Sequence, residues 1–202
     1  YRKHILNFPK GKEWNFLVLL SLLGIILNTA LFTKGLELTT PAHASLLSCM
    51  IPVMTLIFAW ILGHEEMNRY KSLSLIIAMS GALTLLGIDD LDISSNLFLG
   101  DILVFINFSC FGLFLVLSKS MIKHHSPLGL SVLVMSIGAV LLVPLSVKGL
   151  YLNLDSWLSL PWWIYVAAFY SVFFATVITY SLNYYAMSHV DSSKVALFIY
   201  LQ

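Results

Sequence analysis

Long apolar runs separated by short clusters of charge are the feature of this sequence that most restricts its fold. A membrane-spanning helix needs about 20 mainly apolar residues. The sequence contains six complete runs of this kind and a seventh that begins near Ser192 and is cut at Gln202. Because apolar residues run continuously instead of alternating with polar ones, helices are predicted and barrel strands are not. We expect an all-α, polytopic transmembrane helix bundle with six complete spans and one truncated span. The complete spans are Trp14–Lys34, Ala42–Leu62, Lys71–Ile88, Gly100–Ser118, Leu128–Val147 and Trp162–Met187.

Composition supports a membrane protein and excludes several other classes. Of the 202 residues, 59% are hydrophobic and 10% are charged, whereas soluble proteins carry roughly 25% charged residues. A formal net charge of +1 provides no basic field for nucleic acid. Two cysteines, Cys49 and Cys110, are too few for a disulfide scaffold or a cysteine-based zinc site. We expect a lipid bilayer as the surroundings, with no nucleic acid, metal or cofactor.

The distribution of Lys and Arg predicts the orientation in the membrane. If the segment before Trp14 is cytoplasmic, nine of the 11 Lys and Arg residues lie inside, and only Lys34 and Lys148 lie outside. Positive residues concentrate in cytoplasmic loops. We therefore expect a multi-pass protein of the cell membrane, the inner membrane in a bacterium, with that segment cytoplasmic. Because the chain begins at Tyr1 and stops inside an apolar run, we expect a piece of a longer protein.

A weak internal repeat indicates two related halves. The stretch Ala30–Leu47 aligns with Ser181–Phe198 at an offset of 151 residues, and both read as a helix, a short polar break and a restarting helix. In the predicted topology the two breaks lie on opposite sides of the membrane. Inverted repeats of this kind are typical of secondary transporters. Chance similarity between two apolar helices is the alternative.

A series of short motifs gives this repeat a family resemblance. They are AL at Ala30–Leu31, the break at Thr39–Thr40, ASLL at Ala44–Leu47, Pro52 in IPV, AW at Ala59–Trp60, Glu65 followed by Met67–Asn68, Gly81, GD at Gly100–Asp101, SP at Ser126–Pro127 and the closing VALFIYLQ. In this order the chain resembles the EamA-type transporters of the drug/metabolite transporter superfamily. One departure from the pattern is His64, which separates Gly63 from Glu65.

The resemblance implies ten helices in two inverted five-helix repeats. Residues 1–88 would then be the end of the first repeat, with three spans. Residues 100–202 would be the start of the second, with three spans and a truncated fourth. The chain would cover helices three to eight and the first part of helix nine.

Polar residues on one face of a span are candidates for a substrate cavity, because polar side chains that face lipid are costly. Hydrogen bonding between helices is the alternative. In the sixth span, i, i+3 and i+4 spacing places five such residues on one face: Thr176, Thr179, Tyr180, Asn183 and Tyr184. The repeat places three residues on the corresponding face of the first span: Asn28, Thr29 and Thr33.

The second and fourth spans supply further candidates. Close helix packing is the alternative for the small residues, whereas Pro52 is expected to kink its helix because it lacks an N–H group. The residues of the second span that share a face are Ser45, Ser48, Cys49, Pro52 and Thr55. The fourth span provides Asn107 with Phe111 and Phe114, and the truncated span adds Tyr200. Together they predict an aromatic, mostly uncharged cavity for neutral or zwitterionic metabolites, or for organic cations through cation–π contacts.

The positions of the acidic residues indicate whether this part of the chain can carry protons. Every Asp and Glu lies in a predicted loop or at a predicted helix end, so this part of the chain offers no intramembrane carboxylate as a proton relay. Glu65 is expected to form a local ion pair with Arg69 or to cap a helix. We predict a secondary transporter of small-molecule solutes that works by alternating access and has no catalytic residues. A non-transporting membrane protein and an intramembrane enzyme are the alternatives, and the oligomeric state and the substrate stay open.

Overall fold

The computed structural model describes residues 9, 11–85, 96–122, 125–152 and 157–198. Within these ranges all regular secondary structure is helical, which confirms the predicted fold class. The helices are α1 (Glu13–Leu38), α2 (Pro41–Ser48), α3 (Met50–Ile61), α4 (Arg69–Leu85), α5 (Asn96–Ile122), α6 (Pro127–Leu152), α7 (Trp162–Met187) and α8 (Ser192–Leu197).

Five stretches of the described chain are long and apolar enough to cross a membrane. Helices α1, α5 and α7 each provide one, and α2 with α3 provides another over Pro41–Ile61. The fifth is Pro127–Val147 in α6. The predicted span Lys71–Ile88 corresponds to α4, whose described part ends at Leu85, and residues 86–95 lie outside the described ranges.

Helix α5 extends beyond its predicted bounds at both ends and is the centre of the bundle. It packs against α1, α2, α3, α7 and α8. Asp101, which the sequence placed at the end of a helix, lies in the second turn of the longer helix α5 and is only 8% exposed. Thr39 and His43 are the partners of its carboxyl oxygens, and buried polar groups need such partners.

Glycines allow α5 to approach its neighbours closely. A Cβ atom on Gly35 of α1 would lie 2.6 Å from Val104, and one on Gly100 would lie 2.6 Å from the Thr39 backbone nitrogen. On the α3 side, a Cβ on Gly112 would lie 3.0 Å from the Thr55 nitrogen. Small residues at such crossings are typical of helix packing in membranes.

The second span is interrupted at Cys49, one turn before the predicted kink at Pro52, although Cys49 keeps helical dihedral angles (φ −61°, ψ −14°). Pro52 cannot donate a backbone hydrogen bond, and its ring crowds the carbonyl four residues earlier, on Ser48. Helix α2 therefore ends at Ser48 and α3 begins at Met50. The start of α2 follows a standard pattern, with Pro41 in its first turn and the Thr40 hydroxyl accepting a hydrogen bond from the His43 N–H at 3.2 Å.

Two helices contain π-helical turns, at Leu22–Ile26 in α1 and Ser171–Ile178 in α7. Shifting the first turn by 151 residues gives 173–177, inside the second turn. The restarting helices α2 and α8 begin at Pro41 and Ser192, which are also 151 residues apart. The offset found in the sequence therefore relates local backbone features as well.

Candidate substrate cavity

A cavity of about 660 Å³ lies among α1, α2, α3, α5, α7 and α8. This volume is within the usual range of small-molecule sites, about 300 to 1,000 Å³. Within the described ranges its lining bears no formally charged side chain. Its polar lining residues are Asn28, Ser45, Ser48, Thr179, Tyr180 and Asn183, and its aromatic ones are Phe32, Phe108, Phe111, Tyr180 and Phe198.

Polar groups from distant parts of the chain meet at one wall of the cavity. The Gly24 carbonyl, inside the π-helical turn of α1, accepts hydrogen bonds from the Asn28 amide at 3.2 Å and from the Tyr180 hydroxyl of α7. Gly24 has no room for a side chain, because a Cβ atom there would lie 2.6 Å from the ring of Phe114. The arrangement links α1 to α7 through groups that border the cavity.

An aromatic cluster continues below this wall. Phe114 packs against Phe111, Tyr180 and Tyr184, with ring centroids 5.7, 5.9 and 6.0 Å away. Tyr184 is 1% exposed, and its hydroxyl lies 3.3 Å from the Ser118 hydroxyl. Tyr184 is therefore buried beneath the cavity and does not line it.

The structure brings together about half of the residues predicted from the sequence. Those in the cavity lining are Asn28, Ser45, Ser48, Phe111, Thr179, Tyr180 and Asn183. Thr29, Thr33 and Thr176 are exposed and lie away from it. Thr29 is rotated by about 100° from Asn28 on the same helix, and the residues that share the face of Asn28 are Phe32 and Leu36.

The second span divides its predicted face between different surroundings. Ser45 and Ser48 line the cavity, whereas Cys49 and Pro52 line a separate apolar pocket of about 460 Å³ between α2, α3, α4 and α8. Thr55 is buried and donates a hydrogen bond to the Ile51 carbonyl at 2.7 Å. Tyr200 lies outside the described residues.

Asn107 has a different environment from the one predicted. Its side chain is fully buried in α5, and in the described part of the chain neither amide atom has a hydrogen-bond partner. It does not line the cavity, although the next residue, Phe108, does. An unpaired buried amide group costs about 1–3 kcal/mol. Asn107 is therefore a destabilising group beside the cavity wall.

Sequence reasoning missed several apolar lining residues. Phe32 and Leu36 follow Asn28 at i+4 and i+8, and Phe108 precedes Phe111 by three positions. This helical spacing from polar candidates could have identified them. Ala196 of α8 lies 151 residues after Ser45, so the internal repeat could have identified it, whereas Val195 lines the cavity through the packing of α8 against α3 and α5.

Near each end of α5, a cluster of polar side chains links this helix to a neighbouring segment. At the first, which we call the Asp101 end, the carboxylate accepts a hydrogen bond from the Thr39 hydroxyl, and its other oxygen lies 3.0 Å from His43 Nδ1. At the opposite end, which we call the Glu65 end, Lys119 Nζ lies 2.7 Å from Asp191 Oδ1. That hydrogen bond is the main reason why the pKa of Asp191 is lowered.

Glu65 contacts a segment more than 120 residues away, a partner that its sequence context did not indicate. It accepts hydrogen bonds from the Ser193 N–H at 3.2 Å and from the Ser193 hydroxyl at 2.6 Å. Lys71, and not the expected Arg69, provides the ion pair, at 2.9 Å. Burial raises the pKa of the Glu65 carboxyl, but the hydrogen bonds from Ser193 and Lys71 outweigh burial and the pKa is lowered.

These observations define a class: a multi-pass helical membrane protein with a cavity between its helices. The sequence pattern of the EamA-like transporter family matches residues 1–87 and 98–202. The chain belongs to the EamA-like transporter family, and the resemblance noted in its motifs is confirmed.

Individual relatives agree with this assignment. The uncharacterized transporter YyaM of Bacillus subtilis (strain 168) is 28% identical over 187 residues, which are 91% of this chain and 60% of that protein. An uncharacterized transporter of Archaeoglobus fulgidus is 26% identical over 194 residues, 96% of this chain and 65% of that protein. The chain thus spans less than two thirds of either relative. A WAT1-related protein of Arabidopsis thaliana is 36% identical over 75 residues, 34% of this chain and 21% of that protein.

No solved structure matches the chain. The family is one of membrane transporters, and the two bacterial and archaeal relatives carry the name of transporters.

Proposed function

We propose that this chain provides most of the translocation pathway of a secondary transporter that moves a small, net-neutral solute by alternating access. The observation that carries this proposal is the cavity of about 660 Å³ among the membrane-spanning helices, lined by polar groups from both halves of the sequence. Asn28 and Ser48 come from the first half, and Thr179 and Asn183 from the second. A site between repeats is where secondary transporters bind their substrates.

The lining supports an internal repeat with residues 1–88 in one unit and 100–202 in the other. Four pairs of lining residues are separated by the same offset of 151 residues as the sequence repeat. They are Asn28 and Thr179, Phe32 and Asn183, Ala44 and Val195, and Ser45 and Ala196. A common offset at four positions supports two equivalent walls around one site.

The positions of the two helix breaks support an inverted relation between these units. The break at Thr39–Thr40 contacts Asp101 near one end of α5, and the break at Asp191 contacts Lys119 near the other. At 1.5 Å per residue these positions are about 27 Å apart along the helix, close to the thickness of a bilayer's hydrocarbon core. The proposal places the two breaks on opposite sides of the membrane.

The charge distribution supports a cytoplasmic Glu65 end. The proposed orientation keeps the segment before Trp14 in the cytoplasm, with nine of the 11 Lys and Arg residues on that side. Lys71 and Lys119, which contact Glu65 and Asp191, belong to this cytoplasmic set. The cell membrane is the proposed location.

The chemistry of the lining supports a solute without net charge. Asn28 and Asn183 present amides, Ser45 and Ser48 present hydroxyls, and Tyr180 adds a phenol. The aromatic residues offer flat apolar surfaces and π faces, so an organic cation held by cation–π contacts is the second candidate. The buried carboxylate of Asp101 is paired with Thr39 and His43 and is not part of the lining.

Substrate binding and flux can be tested together. A thermal-shift screen of the purified protein against neutral and zwitterionic metabolites identifies a ligand, because binding to the folded state raises its stability. Liposome flux of that ligand is then compared for Asn28→Ala, Asn183→Ala and Thr33→Ala. We expect about tenfold weaker transport in the two Asn variants, the effect of losing one hydrogen bond to a bound solute. Thr33→Ala, on an exposed face of α1, is the matched control.

Normal transport by both Asn variants would show that the proposed lining is wrong. Absence of saturable flux by the parent protein, for every ligand that stabilises it, would contradict transport itself.

A further inference from the structure

Each end of helix α5 contacts a junction between two consecutive helices. At the Asp101 end, Asp101 contacts Thr39 and His43 at the junction of α1 and α2. At the Glu65 end, Lys119 contacts Asp191 at the junction of α7 and α8, and it also donates to the Val190 carbonyl at 3.0 Å. Both junctions are therefore attached to one helix, on opposite sides of the cavity.

The Glu65 end carries an additional contact that bypasses α5. Glu65 follows the end of α3, and Ser193 lies in the first turn of α8, so their hydrogen bonds join the tip of one proposed repeat to the start of a helix of the other. Both carboxylate oxygens accept from Ser193. Lys71, from the start of α4, completes the cluster with its ion pair to Glu65.

The Glu65 side chain is largely covered although the contact lies between helix ends and Glu65 borders a surface pocket. The Glu65 side chain is only 6% exposed, whereas the adjacent Glu66 is exposed. A buried carboxylate that loses its partners is strongly destabilising. Separating α3 from α8 therefore requires Glu65 either to find water or to exchange partners.

The burial of side chains differs between the two ends of the cavity. Tyr184 and Met187, on the Glu65 side of the lining, are buried at 1% and 2% exposure. The lining residues nearest the Asp101 end, Leu36, Pro41 and Ser45, are exposed. The Glu65–Ser193 contact thus lies at the end where the side chains beneath the lining are buried.

We infer that the Glu65–Ser193 contact is the gate that seals the cavity at the Glu65 end, and that the Asp101 cluster is an anchor that stays formed when this gate opens. This inference rests on the proposed transport function. Opening moves α3 and α8 apart at the Glu65 end and exposes the cavity there. Glu65 is a positioning residue in this scheme, because it acts on access to the site and does not touch the solute.

A cysteine in the cavity reports which side has access. The native cysteines are replaced (Cys49→Ser and Cys110→Ser), and Ser48→Cys is introduced in the full chain. A membrane-impermeant maleimide is then applied to membrane vesicles of each orientation. With Glu65 intact we expect labelling from the Asp101 side and little from the Glu65 side.

Glu65→Gln is expected to raise the labelling rate from the Glu65 side by about tenfold, the factor for losing one charge-assisted hydrogen bond. Ser193→Ala, which removes the hydroxyl donor and leaves the N–H, is expected to give a smaller rise in the same direction. Glu66→Gln removes the same charge one position away and is expected to leave labelling unchanged. Asp101→Asn is expected not to raise labelling from the Glu65 side.

Unchanged labelling from the Glu65 side in both Glu65→Gln and Ser193→Ala overturns the gate. An equal rise in Glu66→Gln also overturns it, because the effect would then come from charge alone. If Glu65→Gln does not fold, Ser193→Ala decides. These results require no transported solute, so failure of the gate is distinguishable from failure of the proposed transport, which the flux assay measures.

Discussion

At the scale of single residues, rotation by one position on a helix separates cavity residues from the rest. Asn28 lines the cavity and donates to the Gly24 carbonyl, whereas the adjacent Thr29 is exposed. Both are polar residues of the same span, so polarity alone does not distinguish them. The apolar partners at i+4 and i+8, Phe32 and Leu36, identify the correct face.

Gly24 provides a test of packing at this scale. We expect Gly24→Ala to destabilise the protein by about 1–3 kcal/mol, the usual cost of overpacking, because its Cβ would lie 2.6 Å from the Phe114 ring. That ring is held by Tyr180 and Tyr184 and has little freedom to move. The measurement is the thermal midpoint in detergent.

Gly81→Ala is the matched control, since among the described residues no atom outside its own stretch of α4 lies within 4 Å of the added Cβ. It is expected to be neutral or slightly stabilising, because Ala favours helix over Gly by up to about 1 kcal/mol. Equal midpoints for the two variants would contradict the close contact between Gly24 and Phe114.

At the scale of elements, the residues of the second span are divided between two different surroundings. The sequence placed Ser45, Ser48, Cys49 and Pro52 on one continuous face. Ser45 and Ser48 line the cavity, whereas Cys49 and Pro52 line the apolar pocket, and Cys49 lies about 100° around the helix from Ser48. A proline predicts that a helix is disturbed, but how its two parts are then directed depends on packing against α4 and α5.

Replacing this proline tests the role of the break. In Pro52→Ala the residue gains an N–H that can donate to the Ser48 carbonyl, which favours one continuous helix. We expect a higher thermal midpoint and a several-fold lower rate of flux, because straightening moves Ser45 and Ser48 out of the cavity wall. Thermal unfolding and liposome flux are measured on the same preparation.

Pro144→Ala is the control for a proline inside a helix. Pro144 lies within α6, which is continuous around it, and it does not line the cavity. We expect this variant to gain stability without losing flux. A loss of flux equal to that of Pro52→Ala would show that the break at Cys49 has no particular role.

At the scale of the whole molecule, the contacts between the halves depend on the charge of Glu65. The folded protein holds the Glu65 pKa below its ordinary value of 4.5. A lowered folded pKa means that the carboxylate contributes stability at pH above the unfolded value, and that this contribution is lost as the pH falls through the folded value. The window of loss therefore lies below about pH 4.5.

We expect the thermal midpoint to fall on acidification from neutral pH into this window, and to fall less in Glu65→Gln than in the parent. Gln cannot titrate, so the difference between the two curves isolates Glu65 from the other acidic groups. Glu66→Gln is expected to follow the parent curve. Parallel curves for the parent and Glu65→Gln would show that the Glu65 carboxylate contributes no pH-dependent stability.

The sequence by itself determined the helical class, the approximate spans, the motifs of the family and the offset of 151 residues. These properties depend on local hydrophobicity and on residue order, both of which the sequence itself provides. The tertiary structure alone decided that Glu65 meets Ser193, that Asp101 is buried inside α5, and which face of each helix lines the cavity. Such contacts join residues 58 to 128 positions apart. Which residues meet depends on how whole helices pack against one another, because an apolar helix in lipid has no exposed polar face to mark its orientation.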